Sequence, residues 1–245
     1  MIIVYRFGIL VLLLAIWQFA ATEVGANVVP TPSSTYHAAL ILIGEGRLLR
    51  AAGDSISVFM FGYFLAIILG VLLGLLMGGY RVFGKTVEIF VFALAATPRV
   101  AFIPIIIVLL GLGFEAKTFI VFLGAIMPIL INTYAGVFAA DAELIEMARS
   151  VGAGRGRIFV KIILPGAVPF IVVGLRIGAT IALINTVVAE LYTAVQGLGG
   201  LLAIYGNTFR MAEYFVVVLT LCLVGVIVTE SLRYFEIRVS RWRKT

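Results

Sequence analysis

Charged residues are scarce in this 245-residue chain: they make up 12% of the sequence against 63% hydrophobic residues, and the mean hydropathy is +1.20. Soluble domains usually carry about a quarter charged residues. So few charges cannot cover the water-facing surface of a chain this long, which excludes soluble enzymes and nucleic-acid-binding modules. The composition therefore predicts a membrane protein.

Histidine and cysteine are almost absent. His37 and Cys222 are each the single residue of their type. One thiol cannot form an internal disulfide, and one histidine without a second ligand or nearby nucleophile cannot build a metal or catalytic centre. We therefore interpret His37 as a solvated loop residue. We predict that the chain is not an enzyme and binds no metal or other cofactor.

One short segment matches a phosphate-binding pattern. Gly79, Gly84, Lys85 and Thr86 in GYRVFGKT satisfy G-x-x-x-x-G-K-[ST]. A phosphate-binding loop of this kind must follow a buried strand and open a helix in a nucleotide domain, whereas an apolar run of membrane length precedes this one. We therefore reject an ATP site here and interpret the basic residues as anchors at the membrane surface.

Charged residues divide the chain into six apolar runs, each close to the ~20 residues that a helix needs to cross ~30 Å of hydrocarbon. The predicted spans extend from about Arg6 to Glu23, Asp54 to Arg81, Glu88 to Glu115, Lys117 to Asp141, Pro165 to Glu190 and Glu213 to Arg233. Pro98, Arg99 and Pro104 interrupt the third. Residues 191–209 are uncharged, but their four glycines favour a re-entrant or interfacial segment over a seventh span.

The run behind Arg6 also resembles a signal peptide, with Ala20 and Ala21 near a candidate cleavage point. We expect it to be retained, because five more spans follow and no separate soluble domain follows Thr22.

The basic residues predict the orientation. With both termini in the cytoplasm, twelve of the 18 Lys and Arg residues lie inside and four lie outside. The inside set is Arg6, Arg81, Lys85, Arg149, Arg155, Arg157, Lys161, Arg233, Arg238, Arg241, Arg243 and Lys244. The outside set is Arg47, Arg50, Lys117 and Arg210. The positive-inside rule therefore predicts a multi-pass protein with cytoplasmic N- and C-termini.

Small residues recur at every fourth position of the second span. They are Gly62, Ala66, Gly70, Gly74 and Gly78, which a helix places on one stripe. Helices in lipid associate through close backbone approach, so this stripe predicts a packing face within or between subunits.

The largest predicted cytoplasmic loop covers residues 141–165. Apolar residues recur there at helical spacing opposite acidic ones, and they are Leu144, Met147, Ala148 and Val151. Gly152, Gly154 and Gly156 predict a bend, and a second apolar set follows it: Ile158, Phe159, Ile162 and Ile163. The pattern predicts a helix-turn-helix elbow before Pro165 opens the next span. Such an elbow either rests on lipid headgroups or docks a soluble partner.

Seven residues of this loop carry a family resemblance. Glu146, Met147, Ala148, Gly152, Ile162, Leu164 and Pro165 match E-A-A-x3-G-x9-I-x-L-P at every spacing, departing only at Met147. The loop thus resembles the EAA motif of binding-protein-dependent ABC importer permeases. The segments TPRVAFIPIIIVLLGLG and VVAELYTAVQGLGGLL resemble the nitrate/sulfonate/taurine class of that family, and the likeness covers roughly residues 50–235.

The resemblance implies a fold and a set of partners. It implies an all-α membrane protein whose residues 1–245 form one permease domain of six transmembrane helices, with a coupling loop over about 141–165 in the cytoplasm. It also implies a second permease subunit, which is an identical copy or a close relative, two cytoplasmic ATPases that bind ATP and Mg²⁺, and an extracytoplasmic solute-binding protein. The seven motif residues would then seat in a cleft of the ATPase, in a bacterial plasma (inner) membrane.

A self-sufficient channel or secondary transporter is the alternative. Inverted repeats would favour it, and the two halves of the sequence show no convincing repeat. A membrane enzyme is disfavoured by the missing catalytic residues.

Polar residues inside membrane spans are costly and are therefore candidates for a solute pathway. The candidates are Arg99, Asn132, Arg176, Asn185 and Glu190. If the solute is an anion, the two arginines would line its pathway. The alternative is that they snorkel to the membrane surface or pair with backbone carbonyls freed by the prolines. Glu190 ends the fifth span, where it would form part of an external gate or act as an interfacial anchor.

Overall fold

The structure is a computed structural model that describes residues 2–25, 28–194 and 196–239. These residues form helices and no strand, as the sequence predicts. Their α-helices are α1 (Ile2–Val24), α2 (Pro32–Gly44), α3 (Arg47–Gly79), α4 (Arg81–Ala96), α5 (Ile103–Leu110), α6 (Phe114–Phe138), α7 (Ala142–Ser150), α8 (Arg155–Ile158), α9 (Leu164–Thr193), α10 (Leu198–Asn207) and α11 (Met211–Val239). A 3₁₀ turn covers Arg99–Phe102 and a π turn covers Phe159–Ile163.

Five helices of the described residues are long and apolar enough to cross a membrane. They are α1, α3, α6, the continuous helix Arg155–Thr193, and α11. The third predicted span is instead a bent pair, Arg81–Ala96 and Arg99–Leu110, whose axes meet at 84°. The six predicted spans correspond to the five helices and this pair.

The bend in the third span has a local cause. Proline disfavours the helical conformation of the residue before it, and Thr97 accordingly has ψ 134°. Pro98 also lacks the N–H that would continue the hydrogen-bond ladder of α4. The backbone leaves the helical path for these two residues, at the place where the sequence predicts that Pro98 and Arg99 interrupt the third span.

The polar segment after the first span is helical as well. Thr31 caps α2 by accepting a hydrogen bond from the N–H of Ser34 at 3.2 Å, and Pro32 suits the first helical position because its missing N–H has no partner there. His37 is exposed, as expected, but it lies on this helix. The interpretation of His37 as a loop residue was therefore wrong.

Residues 191–209 do not form a seventh span. They contain α10, whose ten residues are about 15 Å long, half of the hydrocarbon thickness. The prediction that this uncharged segment is something other than a membrane-spanning helix is therefore confirmed.

The helix-turn-helix prediction for residues 141–165 needs one correction. The helix α7 and the bend are present, but the second helix begins at Arg155 and runs without interruption to Thr193. Pro165 does not open the span. It follows the π turn Phe159–Ile163, whose wider ladder lets the helix accommodate a residue without an N–H.

The described chain divides into two compact units. One contains the residues up to Ile56 together with Glu190–Val224, and the other contains Ser57–Ala189 together with the part of α11 after Val224.

In the second unit, α6 packs between α3 and α9. A Cβ at Gly62 or Gly74 of α3 would lie 2.7 Å from Val121 or 2.6 Å from Thr133 of α6. A Cβ at Gly178 of α9 would lie 2.7 Å from Ile129. The small-residue stripe is therefore a packing face within the subunit, because real side chains do not approach this closely.

Candidate functional site

The helix α7 begins at a side-chain cap. Asp141 Oδ1 accepts hydrogen bonds from the backbone N–H groups of Glu143 (2.9 Å) and Leu144 (3.3 Å). Glu143 in the first turn and Arg149 in the last complement the helix dipole. A nine-residue helix is thus specified locally, without buried residues of its own.

The apolar face of α7 is exposed. The exposed fractions are 44% for Leu144, 60% for Met147 and 80% for Val151, just past the helix end, while Ala148 is half-buried and Glu146 is exposed. An apolar stripe on a short helix outside the spans is typical of an interaction surface.

A tight turn ends α7. The N–H of Gly152 donates to the Arg149 carbonyl and the N–H of Ala153 donates to the Ala148 carbonyl, both at 2.9 Å. This is the Schellman arrangement, which requires a residue with positive φ, and Gly152 has φ +79°. Nothing lies within 4 Å of a Cβ built on Gly152. The glycine is therefore needed for its backbone conformation and not for space.

The turn separates the seven motif residues into two groups. Glu146, Met147 and Ala148 lie on α7, and Gly152 forms the turn. The remaining three, Ile162, Leu164 and Pro165, are half-buried in the first turns of the long helix. The exposed part of the motif is therefore α7 and its turn.

Arg99 closes two gaps in the helical hydrogen-bond ladders. Its Nη1 donates to the Gly124 carbonyl at 3.1 Å and its Nη2 donates to the Ala95 carbonyl at 3.3 Å. Pro128 has no N–H to offer the Gly124 carbonyl, and Ala95 lies in the last turn of α4. The structure thus shows Arg99 paired with carbonyls freed at proline breaks.

The two candidate asparagines bond to their own helices. Nδ2 of Asn132 donates to the Pro128 carbonyl and Nδ2 of Asn185 donates to the Ile181 carbonyl, both at 2.8 Å. Asn185 also faces Gly124, where a Cβ would collide with its amide. Asn185 and the Arg99 guanidinium therefore both approach Gly124 of α6, and Asn132 lies two turns further along.

Arg176 lies apart from this group. Its Nη1 pairs with Glu236 Oε2 of α11 at 2.9 Å, and its side chain is 44% exposed. Glu236 follows Glu230 and Arg233 in the charged end of α11. Nine residues of helix, about 13 Å, separate Arg176 from Asn185. Arg176 and Asn185 thus lie at two positions along α9, and Arg176 is near the charged end of α11.

Glu190 has no exposed surface. Both of its carboxylate oxygens lie 2.8 Å from Ser55 Oγ, which donates to the carboxylate, and Oε2 accepts from the N–H of Gly199 at 2.8 Å. Ser55 Oγ accepts in turn from the N–H of Leu198 at 2.8 Å. Complete burial does not suit an interfacial anchor. Sequence reasoning missed Ser55; the glycines at 197, 199 and 200 were the signal of close backbone approach.

Comparison with known proteins identifies the family. Residues 66–241 match the binding-protein-dependent transport system inner membrane components. The chain belongs to this family. It is 33% identical to a Brucella abortus (strain 2308) protein described as a probable ABC transporter permease, over 92% of this chain and 90% of that one. It is 26% identical to the taurine transport system permease protein TauC of Escherichia coli K12, over 96% and 88% of the two chains.

A solved structure shows the same fold. A chain of the MetNI methionine ABC transporter, in an inward-facing conformation, superposes with a TM-score of 0.66 at 21% identity, covering 81% of this chain and 97% of that one. The protein is therefore an integral membrane permease component of an ABC importer, as the motif in residues 146–165 predicts.

Proposed function

We propose that this permease couples to two cytoplasmic ATPases through α7, the exposed helix that carries Glu146, Met147 and Ala148. The observation that supports the proposal is the exposed apolar stripe of α7, ended by the Schellman turn at Gly152. Apolar side chains exposed at the aqueous end of a membrane protein are stabilised when a partner cleft covers them.

The long helix after the turn supplies the mechanical link. Arg155–Thr193 is a continuous helix of 39 residues, about 58 Å long. Movement of α7 would pass through the turn at Gly152 into the start of this helix, where Ile162, Leu164 and Pro165 lie. The ATPases bind and hydrolyse Mg-ATP, and each nucleotide state shifts the permease between inward-open and outward-open conformations.

The complete importer contains two permease subunits and an extracytoplasmic solute-binding protein. We propose two identical copies of this chain, with N- and C-termini in the cytoplasm of a bacterium. The twelve-to-four distribution of basic residues supports this orientation.

The proposed solute is a small molecule with an anionic group. The taurine permease is a relative, and taurine carries a sulfonate. Arg99, Asn132, Asn185 and, nearer the charged end of α11, Arg176 are polar groups of the spans that would face such an anion. Glu190 lies at the opposite end of α9 from the coupling turn.

The experiment is to purify the permease in lipid with its cognate ATPases and binding protein, and to measure ATP hydrolysis with and without loaded binding protein. Val151→Asp and Leu144→Asp place a charge in the exposed stripe, so we expect them to stop ATPase co-purification and stimulation. Glu143→Ala, outside the stripe, is the matched control. Normal co-purification of both aspartate variants would contradict docking through α7.

A further inference from the structure

Glu190 and Ser55 connect three helices. Ser55 belongs to α3, Glu190 to α9, and the two amides that they bind begin α10. Leu198 and Gly199 are the first residues of α10, whose N–H groups have no partner inside their own helix. The carboxylate also lies at the positive end of the α10 dipole. Two side chains of other helices therefore satisfy and neutralise the start of α10.

Gly197 makes this approach feasible. It has φ +91°, and a Cβ built on it would collide with Glu190 Oε1. The Glu190 carboxylate thus occupies the volume that any other residue at position 197 would need. Position 197 therefore requires glycine, because the Glu190 carboxylate lies directly against the backbone there.

The far end of α10 is attached differently. A short exposed turn leads from Thr208 to Arg210, and Phe209 has φ +55° within it. Arg210 stacks over the Tyr205 ring at 5.1 Å and pairs with Glu213 of α11. The helix α10 is therefore joined to α11 by an exposed turn and held at its other end by buried hydrogen bonds.

The side chain of Tyr205, near the C-terminus of α10, is less well satisfied. The residue is 2% exposed, and its hydroxyl is buried without a hydrogen-bond partner among the described residues. An unsatisfied buried hydroxyl opposes the conformation that contains it. The present position of α10 therefore combines charge-assisted hydrogen bonds at its N-terminus with a buried hydroxyl near its C-terminus that disfavours this position.

We propose that Ser55 and Glu190 form a releasable latch on the N-terminus of α10, and that its release opens the solute pathway at this end of α9. The gating role rests on the proposed import function. The latch acts by positioning α10. The hydrogen bonds to the N–H groups of Leu198 and Gly199 break on release, and those groups then take water or solute as partners.

The test measures how accessible the buried face of α10 is. The full permease is assembled with its ATPases in lipid, with Cys222→Ala and Leu202→Cys, so that the thiol at position 202 is the only one in the permease. Leu202 is 6% exposed, so we expect slow reaction with a maleimide in the nucleotide-free complex. A second variant carries Ile204→Cys in place of Leu202→Cys and reports general accessibility, because the native side chain at 204 is 46% exposed.

Glu190→Gln keeps the volume but removes the charge, and Ser55→Ala removes the shared hydroxyl. Each should raise the reaction rate at position 202 on the order of tenfold, the effect of losing one charge-assisted hydrogen bond. The matched control is Thr193→Val, which removes a buried hydroxyl bonded to the Glu190 carbonyl, and it should leave the rate unchanged. Unchanged rates in Glu190→Gln and Ser55→Ala would overturn the latch.

A second measurement separates a latch from a static contact. Mg-ATP with orthovanadate should raise labelling at position 202 when Glu190 and Ser55 are intact, and should raise it no further in Glu190→Gln. Equal labelling of the intact protein with and without Mg-ATP and orthovanadate would show that the latch is not released. Failure to assemble with the ATPases would contradict the proposed function and the gating role with it. The labelling rates without nucleotide test a separate point, which is whether the Ser55–Glu190 contact holds α10 in place.

Discussion

Two glycines with similar backbones have different roles in this permease. Gly152 (φ +79°) ends α7, and Gly197 (φ +91°) precedes α10. A Cβ at Gly152 would meet nothing within 4 Å, whereas a Cβ at Gly197 would collide with the Glu190 carboxylate. The first glycine shapes an exposed turn, and the second also admits a carboxylate against the backbone. We therefore expect substitution of Gly197 to destabilise the protein and substitution of Gly152 to uncouple it from ATP hydrolysis.

The largest expected effect belongs to Gly197→Ala. The backbone strain and the loss of hydrogen bonds at the start of α10 should together destabilise the protein by about 2–5 kcal/mol. Thermal unfolding in detergent, followed by size-exclusion chromatography, measures the change. Gly46→Ala is the control, because Gly46 also has positive φ (+69°) but open space around it. Equal losses of stability in the two variants would mean that the contact with Glu190 adds nothing to the cost of positive φ.

Gly152→Val should leave the protein folded and in the membrane but uncouple it. Positive φ costs a β-branched residue about 1 kcal/mol or more, which the exposed turn relieves by changing the direction of α7. We expect loss of binding-protein-stimulated ATP hydrolysis and of uptake, with a smaller loss for Glu146→Lys. Gly154→Val is the control, since Gly154 has φ −67° and ψ 154°, which any residue adopts. Normal stimulation in Gly152→Val would leave α7 as a lipid-surface helix.

Arg99→Gln should destabilise the protein by about 1–3 kcal/mol, because the carbonyls of Gly124 and Ala95 lose a charged donor. Adding Pro128→Ala restores an N–H for the Gly124 carbonyl and should recover part of the loss. A double-mutant cycle of unfolding temperatures measures this coupling. Additive effects would mean that Arg99 does not act through that carbonyl, and would favour a role in the solute pathway.

Arg176→Gln should have the smallest effect on stability, below about 1 kcal/mol, because the Arg176 side chain is 44% exposed and solvent weakens its ion pair with Glu236. Glu236→Gln should give a similar value, and the double variant should lose no more than either. Solute uptake separates the two hypotheses for Arg176. Reduced uptake in Arg176→Gln but not in Glu236→Gln would support contact with an anionic solute.

Local sequence patterns by themselves determine much of this protein. Charge spacing predicts where the long apolar helices lie, and the motif from Glu146 to Pro165 indicates the family. The Schellman turn at Gly152 follows from residues within six positions of one another. These features depend on hydropathy, backbone sterics and hydrogen bonds between near neighbours, which can be read directly from the order of the residues.

The tertiary structure decided which polar residues meet. Ser55 and Glu190 are 135 residues apart, Arg176 and Glu236 are 60 apart, and Arg99 reaches a carbonyl 25 residues away. Pro98 indicates that the third span is broken, but the local sequence does not predict that the two helices meet at 84°. The packing of α3, α6, α9 and α11 decides which of these polar residues lie close together. A charged group within the helices bonds to the donor or acceptor that this packing places within reach.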